Sequence, residues 1–166
     1  STYITIHRYN YSCKFRYLMN WIYKKDDVTS IEDIPSNIFG FVYKITHLPT
    51  NKSYIGKKFL MFTRKQKLGK KELKLLEGQK GRPPSFKIVQ KESDWKKYWS
   101  SNKLLKDLVK KEPKENFKRE ILHYCTSKKQ LTYFEIKYQM VYQVLEKPEE
   151  FFNDNILGKF FTRDLE

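Results

Sequence analysis

The sequence has no alanine and only six glycines, six prolines and two cysteines in 166 residues. Cys13 and Cys125 fall in no metal-ligand spacing and are too few for a disulfide framework, so a reducing, intracellular setting is expected. Histidine is scarce too. His7, His47 and His123 are scattered without an HxxxH pair or a cysteine partner, which argues against a zinc site. No apolar run approaches the roughly eighteen residues of a membrane span. The N-terminus lacks the uninterrupted apolar stretch of a signal peptide. A soluble protein with no membrane partner is therefore expected. Acidic side chains are the last shortage: 19 stand against 34 basic ones, for a formal net charge of +15.

What is present is apolar enough to fold. Hydrophobic residues make up 39% and aromatics 16% of the chain, which excludes a disordered polyelectrolyte. The length suits one domain with a single substantial core. An excess of fifteen positive charges repels itself unless a polyanion neutralises it, so nucleic acid is the first partner to consider. No protein partner is implied.

Along the chain, Phe15, Leu18, Met19 and Ile22 recur at helical spacing, and residues 1–36 read as a helical extension with a linker ending near Pro35. Residues 37–166 read as the main domain. Phe39–Thr46 is aromatic and β-branched, Ser53–Gly56 follows a turn at Pro49–Lys52, and the two make a hairpin. Residues 65–92 are dense in lysine, with Gly69, Gly78, Gly81 and Pro83-Pro84, and read as a long basic insertion carrying at most a helical turn near Glu72–Leu76. Ser93-Asp94 caps a helix running through Trp95, Tyr98 and Trp99 to Leu104, Leu105, Leu108 and Val109, which Pro113 closes. Phe117–Cys125 reads as a third strand. Ser127 with Gln130 is a capping box opening a helix over about 128–146. The expected fold is α/β: a small three-stranded antiparallel sheet flanked by helices.

The hairpin carries the chemistry. Tyr43 and Tyr54 lie on opposite strands, and with a four-residue loop they share one sheet face, directly across or one diagonal away. Gly56 opens space beside them, and Lys57-Lys58 adds charge. Gly40-Phe-Val-Tyr43 followed by Tyr54-Ile-Gly56 resembles the signature of the GIY-YIG nucleases, with one residue more between glycine and tyrosine than the three-letter name implies. Arg64, in Phe62-Thr-Arg-Lys65, stands where the family's active-site arginine is expected. Glu135, in Leu131-Thr-Tyr-Phe-Glu-Ile-Lys-Tyr138, is similar in setting to its metal-binding glutamate. That glutamate neighbours an apolar helical stripe of Leu131, Phe134, Tyr138 and Tyr142, where a carboxylate is costly unless paired or metal-bound. Asn153 and Asn155 are both candidates for the family's late asparagine. The resemblance covers roughly residues 38–158.

The resemblance implies a DNA endonuclease acting on double-stranded DNA. Tyr43 would deprotonate water, with nearby cations such as Lys57 and Arg64 lowering its pKa. Tyr54 would position the phosphate, Arg64 would hold non-bridging oxygens through its planar fork, and Glu135 would coordinate one Mg²⁺ or Mn²⁺. Lys57, Lys58, Lys65, Lys67, Lys70, Lys71, Lys80, Arg82 and Lys87 are the expected DNA-binding residues. From Tyr54-Ile-Gly-Lys-Lys58 through Ser93–Ser101 to Glu115–Leu122, the sequence looks most like the free-standing Seg-type nucleases of T-even phages. A lysine-, asparagine- and tyrosine-rich, alanine-free composition fits such a source. With the sequence ending at Glu166, specificity is expected to be low or to come from the 65–92 insertion and the N-terminal helix, for homing or for degrading rival DNA. The alternative reading is a non-catalytic basic module whose tyrosines stack on bases.

Overall fold

The structure, a computed structural model, describes residues 19–166. Five strands form the main sheet: β1 (Trp21–Tyr23), β2 (Asp26–Val28), β3 (Gly40–His47), β4 (Lys52–Phe59) and β7 (Phe117–Cys125). Their order is β2-β1-β7-β3-β4, antiparallel except that β1 runs parallel to β7. The α/β class holds, but the sheet is five-stranded and mixed instead of three-stranded and antiparallel. The added strands come from the segment read as an extension. Most of the helix expected through Phe15 and Leu18 lies outside the described residues, and its last part, Trp21–Tyr23, is strand. The cause is tertiary. Trp21 is buried edge-on against Phe41 and Tyr43, at ring separations of 5.0 and 5.4 Å, and its indole N–H donates to the Trp95 carbonyl at 2.8 Å.

A second two-stranded sheet replaces the loose insertion. Strands β5 (Met61–Lys67) and β6 (Phe86–Glu92) pair antiparallel over seven residues each, and the short helix α1 (Lys70–Leu75) sits in their connection. The helix expected from Asp94 to Val109 is broken. A single 3₁₀ turn covers Trp95–Lys97, Tyr98–Asn102 is non-helical, and α2 covers Lys103–Lys111. Asn102 causes the restart: its side-chain oxygen accepts the Leu105 N–H at 3.0 Å. Helix α3 (Lys128–Val141) is shorter than expected. Ser127 caps it as read, accepting the Gln130 N–H at 3.1 Å, while the Gln130 amide oxygen accepts from Thr126. Near its end Gln143 takes a left-handed φ of 55°. Two short strands, β8 (Asn155–Ile156) and β9 (Phe160–Phe161), close the chain.

Strand alternation divides the core between the two faces of the main sheet. Phe41, Tyr43 and Ile45 point to one side, where they pack with Trp21, Trp95, Leu105 and Phe117. Val42 and Ile55 point to the other, with Leu131, Val144 and Phe151 under α3. Arg119 of β7 fastens the first side. Its buried guanidinium lies over the rings of Trp21 and Trp99 and donates to the carbonyls of Lys96, Tyr98 and Met19. Burial pushes its pKa down to about 10, still leaving the group charged at neutral pH.

Candidate active site at the edge of strand β4

The β3–β4 register sets Tyr43 opposite Gly56 and Tyr54 opposite Ile45, so the two tyrosines lie one diagonal apart on the same face. Their rings are 6.2 Å apart and tilted by 41°. The glycine between them is a steric necessity. A Cβ on Gly56 would come within 2.6 Å of the Tyr43 hydroxyl and 2.8 Å of the Tyr54 ring.

The two phenols have different surroundings. Tyr43 is fully buried, and its hydroxyl donates to the Tyr98 hydroxyl at 3.4 Å. Burial, with the Tyr98 and Tyr54 phenols close by, pushes its pKa well above the ordinary value. The expected lowering by Lys57 and Arg64 is therefore not seen. Tyr54 is half-buried, hydrogen-bonds Ser101 at 3.3 Å and lines an open polar cavity of about 450 Å³. Burial is the main cause of its raised pKa; Ser101 lowers it and Glu135 raises it further.

Lys57, three residues on from Tyr54, leaves β4 on the opposite face. Because β4 is the outer strand of the sheet, both side chains still reach the cavity. Lys57 donates to the Thr132 hydroxyl at 3.2 Å and lies 3.6 Å from the Glu135 carboxylate, one turn further along α3. Glu135 is 15% exposed in its side chain and faces the cavity. Burial raises its pKa, and Lys57 opposes that rise by its charge and its hydrogen bonding. The carboxylate on the α3 stripe is thus a paired one, as its cost in an apolar setting requires.

Asn153 and Asn155 both line the cavity but do different things. Asn153 is buried and grips the outer edge of β4: its oxygen accepts the Ile55 N–H at 3.0 Å, and its amide donates to the Ile55 carbonyl at 2.8 Å. The Gln139 amide donates to the same carbonyl. The chain just before Asn153 pairs with β4 in the same way, through Ser53 with Glu150 and Phe152. Asn155 makes a turn instead, accepting from the Gly158 N–H and donating to Asp154.

Arg64 is not brought to this cavity. It lies exposed on β5, opposite Val89. The residue count from Tyr54 leads into the inserted ribbon. Lys103, at the first turn of α2, lines the cavity beside Ser101 and Asn102. No motif marks Lys103 or Ser101 in the sequence, although Ser100-Ser-Asn102 before an apolar run is a capping pattern. Lys58 points the other way: its ammonium is held by Asp94 at 2.5 Å over the Tyr98 ring. Of the other expected DNA-binding residues, Lys65, Lys67, Lys70, Lys71, Lys80 and Arg82 are exposed on the ribbon and its connection, while Lys87 is paired with Glu72. No described helix is long and apolar enough to cross a membrane.

A family model described as "Putative endonuclease segE, GIY-YIG domain" matches residues 21–156, from the first strand of the main sheet to the asparagine-bearing segment beside β4. Neither the curated proteins nor the solved structures give a match.

Proposed function

The chain belongs to the GIY-YIG family of segE-type endonuclease domains, and on that premise we propose that it hydrolyses phosphodiester bonds of double-stranded DNA in the cavity beside β4, with one divalent metal held by Glu135. The observation that carries this reading is the convergence of Tyr54, Lys57 and Glu135 on one open polar cavity at the sheet's edge. A net charge of +15 supports a polyanionic substrate. The donor set fits one hard cation. Glu135 supplies one carboxylate, Asp154 lines the same cavity with a second, and Mg²⁺ or Mn²⁺ binds through one or two carboxylates while keeping several waters. Among the described residues no three of His, Cys, Asp and Glu gather as a metal cluster, so an ion here would rest on Glu135 and complete its shell with water and substrate oxygens. A bound ion would polarise a phosphoryl oxygen and stabilise charge on the leaving 3′ oxygen.

The chain's own residues divide the remaining work. Lys57 keeps Glu135 ionised and, with Lys103, offers positive charge to the scissile phosphate. Tyr54 holds its proton at neutral pH and donates a hydrogen bond from Oη to a non-bridging oxygen. Tyr43, whose hydroxyl is sealed behind it, acts as a positioning residue that fixes the Tyr54 ring; its burial favours this over proton abstraction from water. Arg64 belongs with the ribbon cations that hold DNA. The alanine-free, lysine-rich composition supports a phage source, where such a nuclease would serve homing or act against rival DNA.

Supercoiled plasmid tests the reading. Nicking is expected with Mg²⁺ or Mn²⁺, none with EDTA, and a loss of at least about 10²-fold in Glu135→Gln. Nicking by that variant near the wild-type rate would remove Glu135 from the site. Plasmid binding without nicking under every divalent metal would leave a non-catalytic nucleic-acid module.

A further inference from the structure

The β5–β6 ribbon is the largest feature the cavity does not use. Residues 61–92 hold ten basic and three acidic side chains. The strand register sorts them. Thr63, Lys65 and Lys67 share one face with Gln90, Ile88 and Phe86 opposite them. On the other face Lys87 is tied to Glu72 of α1 and Val89 is half-buried, with Arg64 exposed opposite Val89. The first face is free, and it is not simply cationic: Ile88 is 72% and Phe86 56% exposed between the lysines. Apolar side chains left open on a two-stranded ribbon invite aggregation unless a partner covers them.

That partner must be anionic at its rim and present apolar and hydrogen-bonding groups between its charges. The major groove of duplex DNA meets each requirement. It admits a two-stranded ribbon, phosphates line its edges, and thymine methyls and base edges form its floor. Seven residues of strand span about 23 Å, enough to follow the groove across several base pairs. We propose that the face bearing Thr63, Lys65, Lys67, Phe86, Ile88 and Gln90 seats in the major groove and selects where the protein cuts. The lysines reach phosphates or guanine edges, Thr63 and Gln90 hydrogen-bond bases, and Ile88 and Phe86 meet thymine methyls. This proposal rests on the endonuclease reading of the cavity, yet it concerns residues outside that cavity.

The test compares the full chain with a Lys65→Gln/Ile88→Ser/Gln90→Ala variant. All three residues are exposed, so the thermal melting curve is expected to coincide with that of wild type. Two probes are used: a 30-base-pair duplex with and without methylation at guanine N7, which lies in the major groove, and plasmid whose cut ends are sequenced. Methylation is expected to weaken wild-type binding about tenfold. The variant is expected to bind unmethylated duplex about tenfold less well, with a log–log salt slope flatter by about one for the lost lysine. Its cuts are expected to fall at different sequences. Unchanged affinity, slope and cut sites would overturn the groove assignment while leaving the nuclease standing. So would sensitivity to netropsin, a minor-groove ligand, with indifference to N7 methylation. A wild-type dimer in sedimentation that the variant abolishes would instead make this face a contact between copies. A wild-type protein that neither binds nor nicks duplex would remove the endonuclease reading and this one together.

Discussion

Positive charge is used in two opposite ways in this molecule. In the main sheet three cations have fixed places: Arg119 between two tryptophans, Lys57 against Glu135, and Lys58 between Asp94 and the Tyr98 ring. On the β5–β6 ribbon Arg64, Lys65 and Lys67 stand in solvent, and the described structure gives them no ion pair. A buried cation is a commitment by the fold, because its removal strands the groups built around it. An exposed lysine contributes little to folding and keeps its charge for something else. The excess of charge is therefore divided between cations fixed by the main sheet and cations left in solvent on the ribbon.

Arg119→Met should show the contrast most strongly. Three part-buried carbonyls lose their donor, those of exposed Met19 and Lys96 being open to water, so at about 1–3 kcal/mol for an unsatisfied buried group the loss should be about 2–3 kcal/mol. A urea denaturation curve would reveal it. A loss below about 1 kcal/mol would mean that water replaces the guanidinium without penalty. The asparagines should divide next. Asn153→Ala leaves the Ile55 N–H at the edge of β4 without its partner and is expected to cost about 1–3 kcal/mol, whereas Asn155→Ala, in an exposed turn, should stay within about 1 kcal/mol. Equal losses would show that the edge of β4 is not held by Asn153.

The smallest effect is one of pH. Glu135 has a raised pKa, so its carboxylate is lost on acidification earlier than that of a free glutamate. In metal-free protein the Glu135 carboxyl should therefore titrate above the ordinary glutamate range, as NMR of its side-chain carbonyl would read. Removing the opposing cation in Lys57→Met should move that titration to still higher pH. A titration that does not move would separate Lys57 from the ionisation of Glu135.

Elements that carry their own alternation or cap were legible in the sequence. Strand β7 is Phe117–Cys125, as read, and the shared face of Tyr43 and Tyr54 follows from loop length, while the register chooses the diagonal over the direct pairing. What was not legible depends on distant partners. Trp21–Tyr23 continues a helical spacing, and only parallel pairing with β7 and the Trp21 pocket make it strand. The ribbon's strands are exposed on nearly every residue, so they lack the apolar alternation that reveals a half-buried strand. The ribbon also sets Arg64 apart from the Tyr54 cavity, a separation that a count along the chain does not reveal.

The central claim is that cleavage occurs in the cavity beside β4 and that Arg64 serves the ribbon. Single-turnover nicking of plasmid by saturating protein tests it, because saturation removes differences in affinity. Glu135→Gln and Tyr54→Phe should each lower the rate at least about 10²-fold, with Arg64→Gln within about threefold of wild type. A hundredfold loss in Arg64→Gln, with Glu135→Gln still cutting, would place the chemistry on the ribbon and contradict the account.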